Sequence, residues 1–226
     1  MEKIRPLLAE FIGTFALIFV GIGAINVAQG SLLAIAFAHG LTIAVMVSAT
    51  GHISGGQLNP AVTLGILLGR KMSFADALGY WIAQLAGATA AALICVGLFG
   101  RDVVIGGTPV MHLPQPIAAQ TGISYLTPTQ GIVVEAILTF FLVFVVYGTA
   151  VDPRAPKIGG LAIGLTVTLD ILFGGPLTGA AMNPARVFGP ALAANFWPFH
   201  YVYWLGPMLG GAVAGLLYSN FFLEKK

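Results

Sequence analysis

Two copies of one tripeptide carry the residues whose types and spacing suggest chemistry: Asn59-Pro60-Ala61 and Asn183-Pro184-Ala185. Asn is a favoured helix N-cap, its side-chain oxygen accepting a first-turn N–H, and Pro is favoured at the first helical position. Each tripeptide therefore predicts a helix start, over Asn59 to Gly69 and over Asn183 to Ala194. With the oxygen used on its own helix, the side-chain NH₂ is left to donate elsewhere. Each helix N-terminus also carries roughly half a positive charge. Two such ends meeting would set two amide donors in a positive field, which suits a water molecule and repels cations, hydronium included. This is recognition rather than covalent chemistry, and no enzyme is expected. No Gly-rich phosphate loop or His-Glu metal spacing accompanies the pair. The single cysteine, Cys95, excludes an internal disulfide and any cysteine-cluster metal site. No cofactor is implied.

The elements that must position these residues are membrane-spanning. The chain is 58% hydrophobic and 8% charged, against about 25% charged in soluble domains, and its mean hydropathy is +0.93. The net charge of +2 comes from few charges and gives no ground for a nucleic-acid partner. Six segments approach the length needed to cross a bilayer: Leu7–Ala28, Leu32–Thr50, Ala75–Phe99, Gly131–Val151, Ile158–Phe173 and Tyr201–Phe222. The first is too long for a cleaved signal, carries Glu10 and has a repeat partner. The two short helices would each cover ~17 Å, about half of the ~30 Å hydrocarbon core. Meeting tip to tip, they would span the membrane once between them.

The chain repeats itself. The segment around Glu10 (Ala9 to Phe15) resembles that around Glu135 (Val134 to Phe140), the Asn-Pro-Ala copies lie 124 positions apart, and Tyr80-Trp81 recurs as Tyr203-Trp204. Each half holds three spans and one half-helix. Three is odd, so the second half enters from the opposite side, and the expectation is one domain over 1–226. Inverted repeats over about 1–100 and 129–226 would be joined by an external loop, 100–129, containing Pro109, Pro114, Pro116 and Pro128 and read as ordered, with a Pro-rich disordered linker as the alternative. In such proteins the working site lies near the midplane at the repeat interface. Lys3, Arg5, Arg70, Lys71, Arg154, Lys157, Lys225 and Lys226 fall on one side and only Arg101 on the other, so both termini are expected to be cytoplasmic.

Non-helical backbone is tolerated at membrane depth only where protein or a wet cavity surrounds it. The approaches to the two tripeptides, Gly51 to Leu58 and Gly174 to Met182, read as Gly-rich and extended, offering carbonyls to water on either side of the Asn donors. This favours a passive pore. A proton-coupled transporter using Glu10 and Glu135, and a closed structural protein, are the alternatives.

Together these motifs resemble the aquaporin (major intrinsic protein) family along the whole chain. The carrying residues are the doubled Asn-Pro-Ala, Gly51-His52-Ile53-Ser54-Gly55-Gly56-Gln57-Leu58 before the first and Arg186-Val187-Phe188-Gly189-Pro190 after the second. The resemblance implies an all-α hourglass of six transmembrane helices and two re-entrant half-helices, one pore per subunit and a homotetramer in a lipid bilayer. It places a selectivity filter at His39, Ile171, Ala180 and Arg186. That set is similar to plant tonoplast intrinsic proteins, some of which pass ammonia as well as water. Val187 stands where glycerol facilitators typically carry Asp, which disfavours glycerol. The expectation is a channel for water and small neutral solutes such as ammonia, closed to protons and ions. A plasma (cell inner) membrane location is expected, with the tonoplast or another internal membrane as the alternative.

The remaining polar residues have blander readings. The resemblance makes Glu10 and Glu135 acceptors for backbone N–H groups of the re-entrant loops, with His52 also loop-supporting. An Arg at membrane depth is functional by default, and this favours a filter role for Arg186 over snorkelling. His39 on residues alone could be a hydrogen-bonded core histidine. Gly13, Gly87, Gly210, Gly211 and Gly215 read as close helix contacts. Trp81, Trp197, Tyr201, Tyr203 and Trp204 read as interface anchors and packing. Asp170, beside the filter position, is given no role.

Overall fold

The computed structural model describes residues 3–112, 119, 125–156 and 158–224. Pro114, Pro116, Lys157, Lys225 and Lys226, on which part of the loop and charge readings rest, lie outside the described residues. The described chain forms α1 (Ile4–Val27), α2 (Leu32–Ser54), α3 (Pro60–Leu68), α4 (Phe74–Phe99), α5 (Arg101–Gly106), α6 (Pro128–Val146), α7 (Gly159–Thr178), α8 (Pro184–Ala194) and α9 (Val202–Phe221). Six of these helices are long and apolar enough to cross a membrane, α6 being prolonged by a wider π turn to Val151. Of the other three, α3 and α8 are the half-helices and α5 is a short helix after α4.

Local chemistry sets the starts. Ser73 Oγ accepts the Asp76 N–H at α4, and Thr127 and Gln130 form a reciprocal capping box at α6 with Pro128 in the first turn. Asn59 and Asn183 cap α3 and α8, each followed by Pro. The ends of α2 and α7 differ from expectation. Both helices run on through the Gly-rich approaches, to Ser54 rather than Thr50 and to Thr178 rather than Phe173. Only four residues before each Asn are non-helical. Glycine costs a buried helix only ~1 kcal/mol per residue, and inside a membrane an unformed backbone hydrogen bond costs more. Pro176 sits inside α7 for the same reason.

The packing is that of two inverted halves. Helix α1 lies on α2 and α4, and its counterpart α6 lies on α7 and α9. The halves cross over through the short helices, with α3 against α9 and α8 against α4. Glycine makes this crossing possible. A Cβ on Gly211 of α9 would stand 2.5 Å from the Ala61 carbonyl oxygen of α3, and one on Gly189 of α8 would stand 2.5 Å from Ala88 of α4. Gly215 meets Gly65 of α3, Gly87 meets Phe11, Gly210 meets Ala136 and Gly13 meets the Leu58 side chain. The half-helices are thus seated backbone to backbone, within dispersion contact on all sides.

At the end that carries both termini, one arginine ties the α6–α7 connection to the end of α9. Arg154 donates to Asp152 at 2.7 Å and 3.0 Å, to the Phe222 carbonyl at 2.6 Å and to Glu224 at 3.1 Å. These hydrogen bonds hold the Asp152 carboxyl well below the usual carboxylate range, at about 2. A carboxylate depressed in the fold stabilises above its unfolded pKa, and that stabilisation is lost as pH falls through the folded value. Asp152→Asn should therefore lower the thermal midpoint in detergent by a few degrees at pH 7. The gap should hold down to about pH 4 and close as pH falls toward about 2. A gap that widens on acidification would contradict this.

Candidate functional site: a cavity at the paired half-helix caps

The two caps are made as expected. Ala61 N–H donates to Asn59 Oδ1 at 2.8 Å, while Ala185 and Arg186 N–H donate to Asn183 Oδ1 at 3.0 Å and 3.3 Å. The leftover NH₂ groups, however, are partly engaged. Asn59 Nδ2 donates to the Met182 carbonyl at 2.8 Å, and Asn183 Nδ2 donates to the Leu58 carbonyl at 2.9 Å. Each loop is clipped to the cap of the other. One hydrogen of each NH₂ does this, and the second remains on a side chain that lines the central cavity.

Leu58 and Met182 can turn their carbonyls across because both are in the left-handed region, at φ 53° and 52°. That conformation costs such residues ~1–3 kcal/mol and persists only when the surroundings impose it. Two buried glutamates impose it. Glu10 Oε2 accepts the Leu58 N–H at 2.6 Å, and its Oε1 accepts the Gln57 N–H at 2.9 Å and the Ser54 hydroxyl at 2.6 Å. Glu135 repeats the pattern on Met182 (2.7 Å), Ala181 (2.9 Å) and Thr178 (2.6 Å). A path of hydrogen bonds therefore runs from each glutamate, through the backbone of one residue, to the Asn of the opposite half. Both glutamates are fully buried, and their oxygens are occupied by donors.

Further supports went unread in the sequence. Gln84 of α4 donates to both Glu10 Oε2 (2.8 Å) and Thr63 Oγ1 (3.0 Å). Tyr80 and Tyr203 hydroxyls donate to the Ser54 and Thr178 carbonyls at 2.9 Å and 2.8 Å. The Tyr-Trp repeat is the available signal, and of its two readings, interface anchors and packing, the structure bears out packing at Tyr203. Tyr203 is fully buried, and Trp81 Nε1 donates to the Pro60 carbonyl at 3.1 Å. His52 is a correction too. Because α2 continues past it, the ring is turned outward and exposed, and it makes no hydrogen bond among the described residues. Ser54 does the work expected of it.

His39, Ile171, Ala180 and Arg186 come together from α2, α7, the second loop and α8, and all line the same cavity as Asn59 and Asn183. That cavity offers about 30 Å³ to the centres of water-sized spheres. At ~10–15 Å³ per water, this admits two or three waters. Ile171 and Arg186 also border a wider outer chamber of about 170 Å³, with His112 and Pro109 in its wall. Ile171 and Arg186 thus stand between the two spaces. Arg186 Nη2 lies 3.2 Å from His39 Nε2, and His39 Nδ1 lies 2.9 Å from the Ile35 carbonyl. Arg can only donate and a carbonyl can only accept, so the ring carries its hydrogen on Nδ1 and accepts at Nε2. Arg186 Nη1 has no partner among the described residues.

Asp170 is 5% exposed and its Oδ2 has no hydrogen-bond partner among the described residues; nothing around it assigns a role. The described residues contain no cluster of groups able to hold a metal ion.

The major intrinsic protein family model matches residues 1–218. Aquaporin TIP4-4 of Zea mays is 46% identical over 235 residues, covering 98% of this chain and 88% of that protein. Aquaporin TIP4-1 of Arabidopsis thaliana is 46% identical with 99% and 88% covered, and Aquaporin TIP2-1 of the same plant is 42% identical with 99% and 89% covered. Among solved structures, the aquaglyceroporin from Plasmodium falciparum superposes with a TM-score of 0.80 at 24% identity over 97% of this chain and 96% of that one, a likeness of fold.

Proposed function

Since the chain belongs to the major intrinsic protein family, the aquaporins, and is a multi-pass membrane water channel, we propose that it also passes ammonia while excluding ions and protons. It is a channel, not an enzyme. The observation that supports the finer reading is the shared cavity, lined by His39, Ile171, Ala180 and Arg186 together with the two half-helix caps.

In this reading a water at the centre accepts the free amide hydrogens of Asn59 and Asn183. Its own hydrogens then point away along the pore in both directions. A proton arriving from either side finds no acceptor to pass through. The two helix N-termini and Arg186 add a positive field that opposes hydronium, sodium and ammonium alike. Glu10 and Glu135 act as braces rather than proton relays, since every carboxylate oxygen already accepts from a loop or helix donor.

The filter sets solute choice. Ile171 puts a hydrocarbon wall opposite the polar pair of His39 and Arg186, and Ala180 adds little bulk. The uncommitted Nη1 of Arg186 offers a hydrogen to a passing acceptor. Neutral ammonia, close to water in size and less tightly hydrogen-bonded, fits this mixed lining. The roles of these residues, a homotetrameric assembly and cytoplasmic termini belong to the same proposal. The relatives are tonoplast intrinsic proteins, so we place the channel in an internal membrane of that kind. They lend no support to the plasma membrane expected from sequence.

The test measures water and ammonia on the same vesicles. His39→Phe combined with Ile171→His narrows the ring while returning an acceptor for Arg186. Ammonia-driven alkalinisation of the lumen should fall by about tenfold, a barrier change of ~1.4 kcal/mol, with most water flow kept. Wild-type vesicles that conduct water but alkalinise no faster than empty ones would refute the ammonia reading.

A further inference from the structure

Toward the end that carries both termini, the cavity lining turns apolar. His39, Ile43 and Val47 succeed one another on α2 at one-turn spacing, as do Ile171, Val167 and Ile163 on α7, and all six line the cavity. Two turns take the lining ~12 Å inward from His39. Apart from His39, Arg186 and the two cap asparagines, one polar side chain lines the cavity among the described residues, that of Gln57. It stands at the inner level, because a Cβ on its neighbour Gly56 would lie 3.1 Å from Val47 Cα.

The Gln57 side chain has one end held and one end free. Glu10 Oε1 accepts its backbone N–H at 2.9 Å, and its Nε2 lies 3.7 Å from Met72 Sδ. A thioether sulfur can only accept, so the NH₂ faces Met72. Oε1 is then left buried, with no partner among the described residues. A buried amide oxygen is met by a donor, and where no protein group supplies one an ordered water does. The space that Gln57 borders is the one with room for about two or three waters.

On the reading that this cavity conducts, we infer that Gln57 is a specificity-determining residue of the inner half of the pore, its Oε1 accepting a hydrogen from each passing water. The acceptor matches the order set at the caps. A water that accepts from Asn59 and Asn183 turns its neighbours so that, on the inner side, hydrogens point toward Gln57. The two ends of the cavity therefore ask different things of a solute. Arg186 Nη1 donates, and water and ammonia both accept well. Gln57 Oε1 accepts, and an O–H of water is a better donor than an N–H of ammonia. Gln57 thus favours water over ammonia at a point the outer residues do not control.

Gln57→Met keeps the length of the side chain and removes the acceptor. Osmotic water flux and ammonia-driven alkalinisation are read on the same liposomes, per reconstituted channel. Water flux should fall about fivefold, equivalent to ~1 kcal/mol for one hydrogen bond, and its activation energy should rise. Ammonia flux should fall by less than about twofold, so the ratio of ammonia to water rises. If wild type passes no ammonia, water flux and its activation energy decide alone, and the ammonia reading fails without this one. Wild-type water flux in Gln57→Met would overturn the inference. So would water and ammonia falling in proportion at an unchanged activation energy, the signature of fewer open channels. Gln57→Cys in a Cys95→Ala background is the second variant, since a thiol is a weak acceptor and should lose water flux as the Met variant does. A small methanethiosulfonate should then block water altogether. Full labelling that leaves water flux untouched would put the path of water outside this cavity and remove the ground for the inference. Block by the label with no loss before it would keep the cavity as the path and deny Gln57 its role.

Discussion

Glu135→Leu is expected to reduce water flux per folded channel by more than about tenfold and to lower thermal stability sharply. The substitution removes the acceptor for the Ala181 and Met182 N–H groups and the Thr178 hydroxyl. Each buried donor left unsatisfied costs ~1–3 kcal/mol. The left-handed conformations at Ala180 (φ 43°) and Met182 (φ 52°) then lose what imposes them. Two consequences reach the pore. The Met182 carbonyl no longer meets Asn59, and Ala180 shifts within the filter. Glu10→Leu should act likewise through Leu58 and Asn183, and more severely, because Gln84 loses one of its two acceptors as well. Glutamine variants discriminate between bracing and proton relay. Glu135→Gln keeps one carbonyl acceptor and should retain a substantial part of the water flux. In a proton-coupled carrier, the same change would abolish transport outright. Stopped-flow light scattering alongside a detergent melting curve reads both effects. A Glu135→Leu protein with wild-type flux and stability would show that the loops hold themselves.

The second large effect is on ion exclusion. Asn59→Asp with Asn183→Asp places carboxylates where two helix N-termini meet. It offsets the positive field, removes both amide donors and sets oxygens against the Met182 and Leu58 carbonyls. Sodium conductance in planar bilayers should rise at least tenfold over wild type, for a field worth up to ~2 kcal/mol per helix end. The neutral variant Asn183→Ala separates the two causes. It breaks one clip without adding charge, so it should lower stability and leave sodium excluded. A folded double aspartate variant as tight to sodium as wild type would remove the caps from the barrier.

Much of this was legible because local and global signals agree at the caps. Asn followed by Pro sets a helix start wherever it occurs, and two copies in inverted halves leave few arrangements. The glutamates were readable as braces, and the four cavity-lining positions as a set, only through the resemblance. What escaped depends on contacts between distant segments. No local rule predicts that Leu58 and Met182 adopt positive φ, since long side chains disfavour it. The conformation exists because Glu10 and Glu135 reach the N–H while Asn183 and Asn59 reach the carbonyl. The helix ends at Ser54 and Thr178 were missed because Gly51, Gly174, Gly175 and Pro176 are breakers in water, whereas inside a membrane the backbone has no other partner. His52 was misplaced by the same error. Tyr203 reads as a belt aromatic from its position near a span end, yet its hydroxyl is spent on the Thr178 carbonyl.

The most direct measurement is the osmotic water permeability of liposomes carrying the purified wild-type chain, followed by stopped-flow light scattering at several temperatures. A continuous file past Asn59, Asn183 and Arg186 predicts shrinkage much faster than in empty liposomes. It also predicts an activation energy near that of free water diffusion and a rate indifferent to an imposed pH gradient. Shrinkage no faster than in empty liposomes, or a rate that follows the pH gradient, would contradict it.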